Sequence, residues 1–189
     1  MATYPGSTSR DYKFVTGSAA SAADASAQGS LVHIAAAAGQ HHCIQRCDFS
    51  YSADVTMGEL TIGLATTVKS IDSGDSSLVT VADATGFTAT TAAADILVIQ
   101  PDSKIPLTGE VLSSVNQTTN VLDFAGAISE LAIGDVLIKV EYMLYVTGGG
   151  AGPLVGNDAP LFTGNKGADV GIWLKQISNT ASRLNVLYY

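Results

Sequence analysis

The stretch His41-His42-Cys43-Ile44-Gln45-Arg46-Cys47 holds both cysteines of the chain and two of its three histidines. Nowhere else do thiol chemistry and metal ligation have their residue types side by side. On a helix, Cys43 and Cys47 would share one face and His42 would join them at a zinc ion. On a strand, which rises about 3.3 Å per residue, the two cysteines stand roughly 13 Å apart, beyond what a disulfide spans. The flanks select the strand. In HHCIQRCDFSYS a period of two puts Cys43, Cys47, Phe49 and Tyr51 on one face, with Arg46, Asp48 and Ser50 on the other. A free cysteine packs as a small apolar side chain, so the first face is expected inward, with no metal and no cofactor. His33 then faces outward in LVHIAA, and His41 and His42 end a turn.

The other candidates carry less. TGGGAGP has neither the GxGxxG spacing nor the Lys-Ser or Lys-Thr of a phosphate loop, so it reads as a turn. Asp72 and Asp75 in IDSGDSS have a calcium-loop spacing without the remaining ligands or the closing Glu. Asn116-Gln117-Thr118 matches a glycosylation sequon that matters only on secretion. No serine sits in a nucleophile elbow, and no carboxylate pair can be singled out for glycoside hydrolysis. No catalytic residue is assigned, and the chain is read as a non-enzyme.

The elements that must position these residues are strands. Leu60, Ile62 and Leu64 alternate with Glu59, Thr61 and Gly63, and Leu184, Val186 and Tyr188 with Arg183, Asn185 and Leu187. In ADVGIWLKQI, Val170, Ile172 and Leu174 share one face while Trp173 and Lys175 take the other. Trp173 with Lys175 is either an outward interface anchor or a residue covering a second sheet. The turn signals YSAD, TGGGAGP, GNDAP and GNKGAD separate these runs. The fold class is all-β: a β-sandwich or jelly-roll-like host domain interrupted by a small inserted β-barrel-like module.

The boundaries follow from composition. Residues 1–30 read as an N-terminal arm, ordered only when a partner holds it, because SAASAADASAQGS offers little surface to bury. Residues 31–68 and 141–189 form the two parts of the host, and 69–140 form the module. Within the module, residues 78–99 and 121–140 share one plan, a strand, a loop of small residues, an acid and an apolar strand, with Asp95 and Asp135 as the acids. GEVLSSV and NVLDF flank a polar turn, which predicts a hairpin. The module holds nine acids and three lysines, a net of −6 out of the chain's −8, so it is expected to project into solvent.

Apolar residues make up 47% of the 189 and charged residues 14%, below the usual charged share of about 25%. With 9 basic and 17 acidic residues and no basic cluster, nothing tracks a phosphate backbone, and no nucleic acid partner is expected. No apolar run reaches the roughly 18 residues of a membrane helix, and the first residues lack a signal-peptide core. A product with no membrane partner, made in a reducing cytoplasm, is expected.

The phrases HHCIQRCDFSYSADVTMGELTIG, VTGGGAGPLVGNDAPLFTGNKGADVGIWLKQI and SRLNVLYY resemble a family of small bacteriophage and prophage structural proteins. Compact members of that family lack the middle segment, which makes residues 69–140 look like an insertion. The phrases VTVADATGF and GDVLI in it are similar to β modules of tail and fibre proteins. Cys43 and Cys47 depart from the family, which more often carries aliphatic residues there. The resemblance implies a virion structural protein. Its first form is a decoration or cement protein on the capsid surface, homotrimeric and bound to the major capsid protein, made in the bacterial host cytoplasm. The alternative is a tail-fibre or receptor-binding protein whose module recognises host glycan, with Phe87 and Phe124 as its only aromatic residues. A tail-associated hydrolase has the least support.

Overall fold

The computed structural model describes residues 12–19, 29–52, 55–101, 105–107, 109–148, 151–156, 159–175 and 180–189. These form an all-β, sandwich-like fold of two antiparallel sheets. The first sheet has the order β1 (Lys13–Ala19), β14 (Ser182–Tyr188), β3 (Cys43–Tyr51), β11 (Ala151–Val155), and the short β12 (Phe162–Thr163) also pairs with β3. The second runs β7 (Ile105–Leu107), β6 (Ile96–Gln100), β10 (Val136–Gly148), β4 (Val55–Ile71), β5 (Leu78–Val81), β9 (Val121–Phe124), β8 (Leu112–Asn116). β13 (Asp169–Lys175) lies along β4 and carries β2 (Gly29–Ile34) beyond it.

β4 organises both halves. One edge pairs with β10 from Val55 to Thr67, and the other pairs first with β13, from Leu60 to Ala65, and then with β5, from Val68 to Ile71. Its alternation lets one strand face feed two cores. Leu60 and Ile62 enter the core between the sheets, beside Val32, Ile44, Cys47, Ile172, Leu174, Leu184 and Val186. Leu64 and Val68, on the same face further along, enter a second core with Val79, Phe87, Val98, Leu112, Leu122, Phe124 and Leu137. Each aliphatic side chain taken fully out of water contributes about 1.5–3 kcal/mol. β10 keeps step through a bulge at Glu141, between the pairs Val140–Gly63 and Tyr142–Ile62. The bulge changes the parity, so Leu137 and Lys139 share a face with Tyr142 and Leu144.

The C-terminal alternation and the hairpin follow the sequence reading. The C-terminal strand is interior, with β1 on one side and β3 on the other, and Leu184 and Val186 are fully buried. The predicted hairpin is β8 and β9, closed by residues 117–120 with Asn120 in the left-handed region (φ 56°). Asp95 and Asp135 close their loops alike. Asp95 Oδ2 accepts from Ala92 N (3.0 Å) and Asp135 Oδ2 from Ala132 N (2.8 Å), three residues back in each case.

Two expectations are corrected. The second sheet curls over the Phe87 core without closing into a barrel, because β7 and β8 end at opposite edges of the strand order. Residues 13–19, assigned to the arm, are strand β1, paired along their whole length with β14 of the same chain. Period two supplies the reason: Val15 packs on the inter-sheet core and the backbone completes a ladder, so no partner is needed. The remainder of the arm, residues 1–11 and 20–28, lies outside the described residues.

The ladder between β4 and β10 needs glycine at position 63, where a Cβ would collide with the Lys139 carbonyl. Gly63→Val should therefore destabilise the fold by about 3 kcal/mol, the upper range for overpacking. Chemical denaturation checks this, and an unchanged midpoint would show that β10 can give way.

Candidate functional site

The HHCIQRC segment folds as a strand, with one change from the predicted faces. Leu187 pairs with Arg46 and Tyr188 with Ile44, so Gln45 is an extra residue in β3. Gln45 O accepts from Gly156 N (2.9 Å), and its Nε2 donates to Gly156 O. The bulge reverses the alternation before it. Ile44 is fully buried, Cys47 and Tyr51 follow on the core side as expected, and Cys43 is half-exposed instead of inward. Cys43 Sγ lies 3.8 Å from Thr163 Oγ1, whereas burial, followed by the Asp48 charge, pushes the Cys47 thiol up to about 12. A buried thiol that resists ionisation is a poor nucleophile and a poor ligand.

The histidines are fasteners. His41 Nδ1 donates to Gly164 O (2.8 Å), and the buried His42 donates through Nε2 to Ala35 O (2.8 Å) while its ring meets Tyr188 edge-on. His33, predicted to face outward, donates through Nε2 to Asp169 Oδ2 at 2.7 Å, and Asp169 Oδ1 accepts from Ala36 N at 2.6 Å. Burial alone would raise the Asp169 carboxyl. The hydrogen bonds from His33 and Ala36, with the nearby His33 and His42, outweigh it and hold the group below its usual range. Among the described residues, no group of three or more His, Cys, Asp or Glu side chains converges as a ligand set.

The acids of IDSGDSS are engaged by their own turn. Asp72 Oδ1 accepts from Gly74 N and Asp75 N, and Asp75 Oδ1 from the backbone and hydroxyl of Ser77. The glycine-rich turn after β10 includes residues 149 and 150, which lie outside the described residues.

Trp173 keeps the predicted face and is buried there. It shares its register with Thr61, on the side of β13 away from the inter-sheet core, yet only 1% of it is exposed. The outer face of the second sheet is built from small residues there, Thr61, Gly63, Ala65 and Gly171, and this leaves room for a third cluster of Trp173, Ile138, Val136, Ile99 and Ala65. The indole crosses Gly29, where a Cβ would collide with the ring. Of the two readings of Trp173, this burial matches a residue that covers a sheet and not an exposed anchor. Lys175 is exposed, with its ammonium 4.0 Å from Glu59 Oε2.

Two surface features escaped sequence reasoning. One side of the sandwich is open: β6 covers β10 only as far as Lys139, and β11 pairs with β3 alone among the described residues. Tyr145 (62% exposed) and Met143 (37%) stand on the outer face of β10 beside this edge, in register with Glu59 and Thr61, and Val155 (43%) is exposed on β11 of the other sheet. The other is a cleft of about 290 Å³ lined by Leu64, Gly86, Lys139, Glu141, Phe162, Thr163 and Asn165. The GNKG turn was legible, but its meeting with Gly86 from a distant loop was not.

No helix among the described residues is long and apolar enough to cross a membrane. No protein-family model matches the sequence, and no curated protein matches it.

Three outcomes are expected. A thiol reagent should modify Cys43 in the folded protein and reach Cys47 only on unfolding, which mass spectrometry of labelled peptides reads directly. Trp173→Ala should cost about 3–5 kcal/mol, measured by urea denaturation followed by circular dichroism. Asp169→Ala should cost about 1–3 kcal/mol at neutral pH. Because the folded carboxyl titrates low, that difference is complete above the ordinary value of about 3.9 and vanishes as pH falls through the lower folded value. Melting curves of both proteins from pH 7 to 2 follow it.

Proposed function

We propose that this chain is a bacteriophage virion structural protein, a decoration or cement protein that binds the major capsid protein on the head surface as a homotrimer. The observation that carries this reading is the open side of the sandwich. Edge backbone of β10 that has no ladder partner among the described residues, beside exposed Tyr145 and Met143, is a surface suited to contact, since bare edges recruit other chains and aromatic residues concentrate at interface centres. The resemblance of the SYSA, GNKG and LNVLYY phrases to phage structural proteins supports the virion setting. The net of −6 on residues 69–140 supports that segment as an inserted module turned toward solvent, away from the shell. Assembly in the host cytoplasm is part of the same proposal.

The glycan-binding alternative draws less support. Sugar platforms use exposed aromatic faces, and the two aromatic residues of the module, Phe87 and Phe124, are 1% and 2% exposed.

The proposal is tested by co-sedimenting the protein with purified heads of the phage or prophage that encodes it. The wild type should pellet with heads at saturable stoichiometry, and Tyr145→Asp should bind at least about tenfold more weakly with an unchanged melting temperature. A wild-type protein that stays in the supernatant would reject a head-surface role.

A further inference from the structure

The inner face of β4 and β10 is apolar at both ends and polar in the middle. Leu60 and Ile62 supply the inter-sheet core and Val68 and Leu137 the second core, but between them the face carries Lys139, paired in register with Leu64. A charged residue at a core junction is costly unless the fold provides space and partners for it. Here it lines the 290 Å³ cleft, closed on one side by the loop that carries Gly86 and on the other by residues 162–165. We infer that this cleft is a binding site for a neutral polyhydroxylated ligand, a single saccharide unit.

The chemistry of the lining selects that class. Lys139 Nζ stands 2.9 Å from Glu141 Oε1 and donates a longer bond to Gly86 O (3.5 Å). The pair is neutral as a unit, so an anion drawn to Lys139 would meet the Glu141 carboxylate and a cation the reverse. Hydroxyl groups suit both members, since each donates and accepts. The Asn165 amide, which makes no side-chain hydrogen bond to a described residue, and the Thr163 hydroxyl add donors and acceptors. Leu64 and Phe162 belong mainly to the cores beneath, so the lining is predominantly polar, which suits hydroxyl groups over an apolar ligand. The volume lies at the low end of small-molecule sites, which suits one ring.

The cleft is also built, in the sense that backbone irregularities aim its walls. Glu141 is the bulged residue of β10, and a bulge re-aims the side chain it carries. Gly86 is in the left-handed region (φ 81°), and a Cβ there would strike the Asn165 amide and Leu64, so glycine is what lets the two walls approach. Nothing in this inference depends on the virion reading.

The test is a heteronuclear NMR titration of the full chain with D-galactose, N-acetylglucosamine and methyl β-D-glucopyranoside, and with sodium acetate and sodium phosphate at constant ionic strength. At least one sugar should give saturable shifts confined to Gly86, Glu141, Thr163 and Asn165. Glu141→Ala and Asn165→Ala, both at exposed side chains, should each weaken binding about tenfold while leaving distant resonances in place. The inference is overturned if no sugar gives saturable shifts at tens of millimolar, or if both variants bind as the wild type does. Tighter saturable binding of acetate or phosphate at the same residues would overturn the neutral-ligand class.

Discussion

The ladder between β4 and β10 is the constraint on which the other elements depend. It runs from the pair Val55–Gly148 to the pair Thr67–Val136. Every other strand of the second sheet attaches to it directly or through one or two neighbours: β13 and β2 on one edge, β5, β9 and β8 further along that edge, and β6 and β7 on the other. Because side chains alternate, its inner face supplies both cores and its outer face the Trp173 cluster. Its two strands are not consecutive, for β5, β6, β7, β8 and β9 lie between β4 and β10 in the chain. Most of the contacts that hold the ladder are therefore distant in sequence, which places the fold among those that form slowly.

Sharing one ladder among three apolar clusters sets the residue types along it. β4 and β13 are buried on both faces between Leu60 and Thr66 and between Val170 and Leu174, so neither shows apolar and polar residues in simple alternation. Large residues occupy the inner face, and Thr61, Gly63, Ala65 and Gly171 the outer one. Small residues there let Ile138 and Trp173 lie across the sheet. The same economy exposes the weak point: where the inner face must change from one core to the other, Lys139 and the Glu141 bulge leave a polar cleft instead of continuous packing.

Much of this was legible in the sequence, because period-two alternation is local. It gave the all-β class, the alternation of Leu60, Ile62, Leu184 and Val186, the hairpin of β8 and β9, and the shared plan that sets Asp95 and Asp135 ahead of apolar strands, though not the loop-closing bonds these acids make. What was not legible depends on partners. The bulge at Gln45 exists because β14 and Gly156 meet β3 in a particular register, and nothing in HHCIQRC encodes it; Cys43 was thus placed inward. Trp173 was assigned its face with two readings left open, and choosing between them required knowing that Gly29, Ala65 and Ile138 converge there. β1 was hidden in a polar, alanine-rich segment, since its ladder with β14 joins chain ends far apart in sequence. The pairing of His33 with Asp169, and the cleft between Gly86 and Asn165, likewise join segments that no local pattern connects.

A shared ladder ties the two cores into one cooperative unit. The most direct measurement is an equilibrium urea titration read residue by residue by NMR, comparing Val79 and Leu122 in the second core with Cys47 and Val186 between the sheets, and Trp173 in the outer cluster. A common ladder predicts one midpoint for all five residues. Loss of Val79 and Leu122 at clearly lower urea, with Cys47, Val186 and Trp173 still native, would contradict it and make the second core an independent unit.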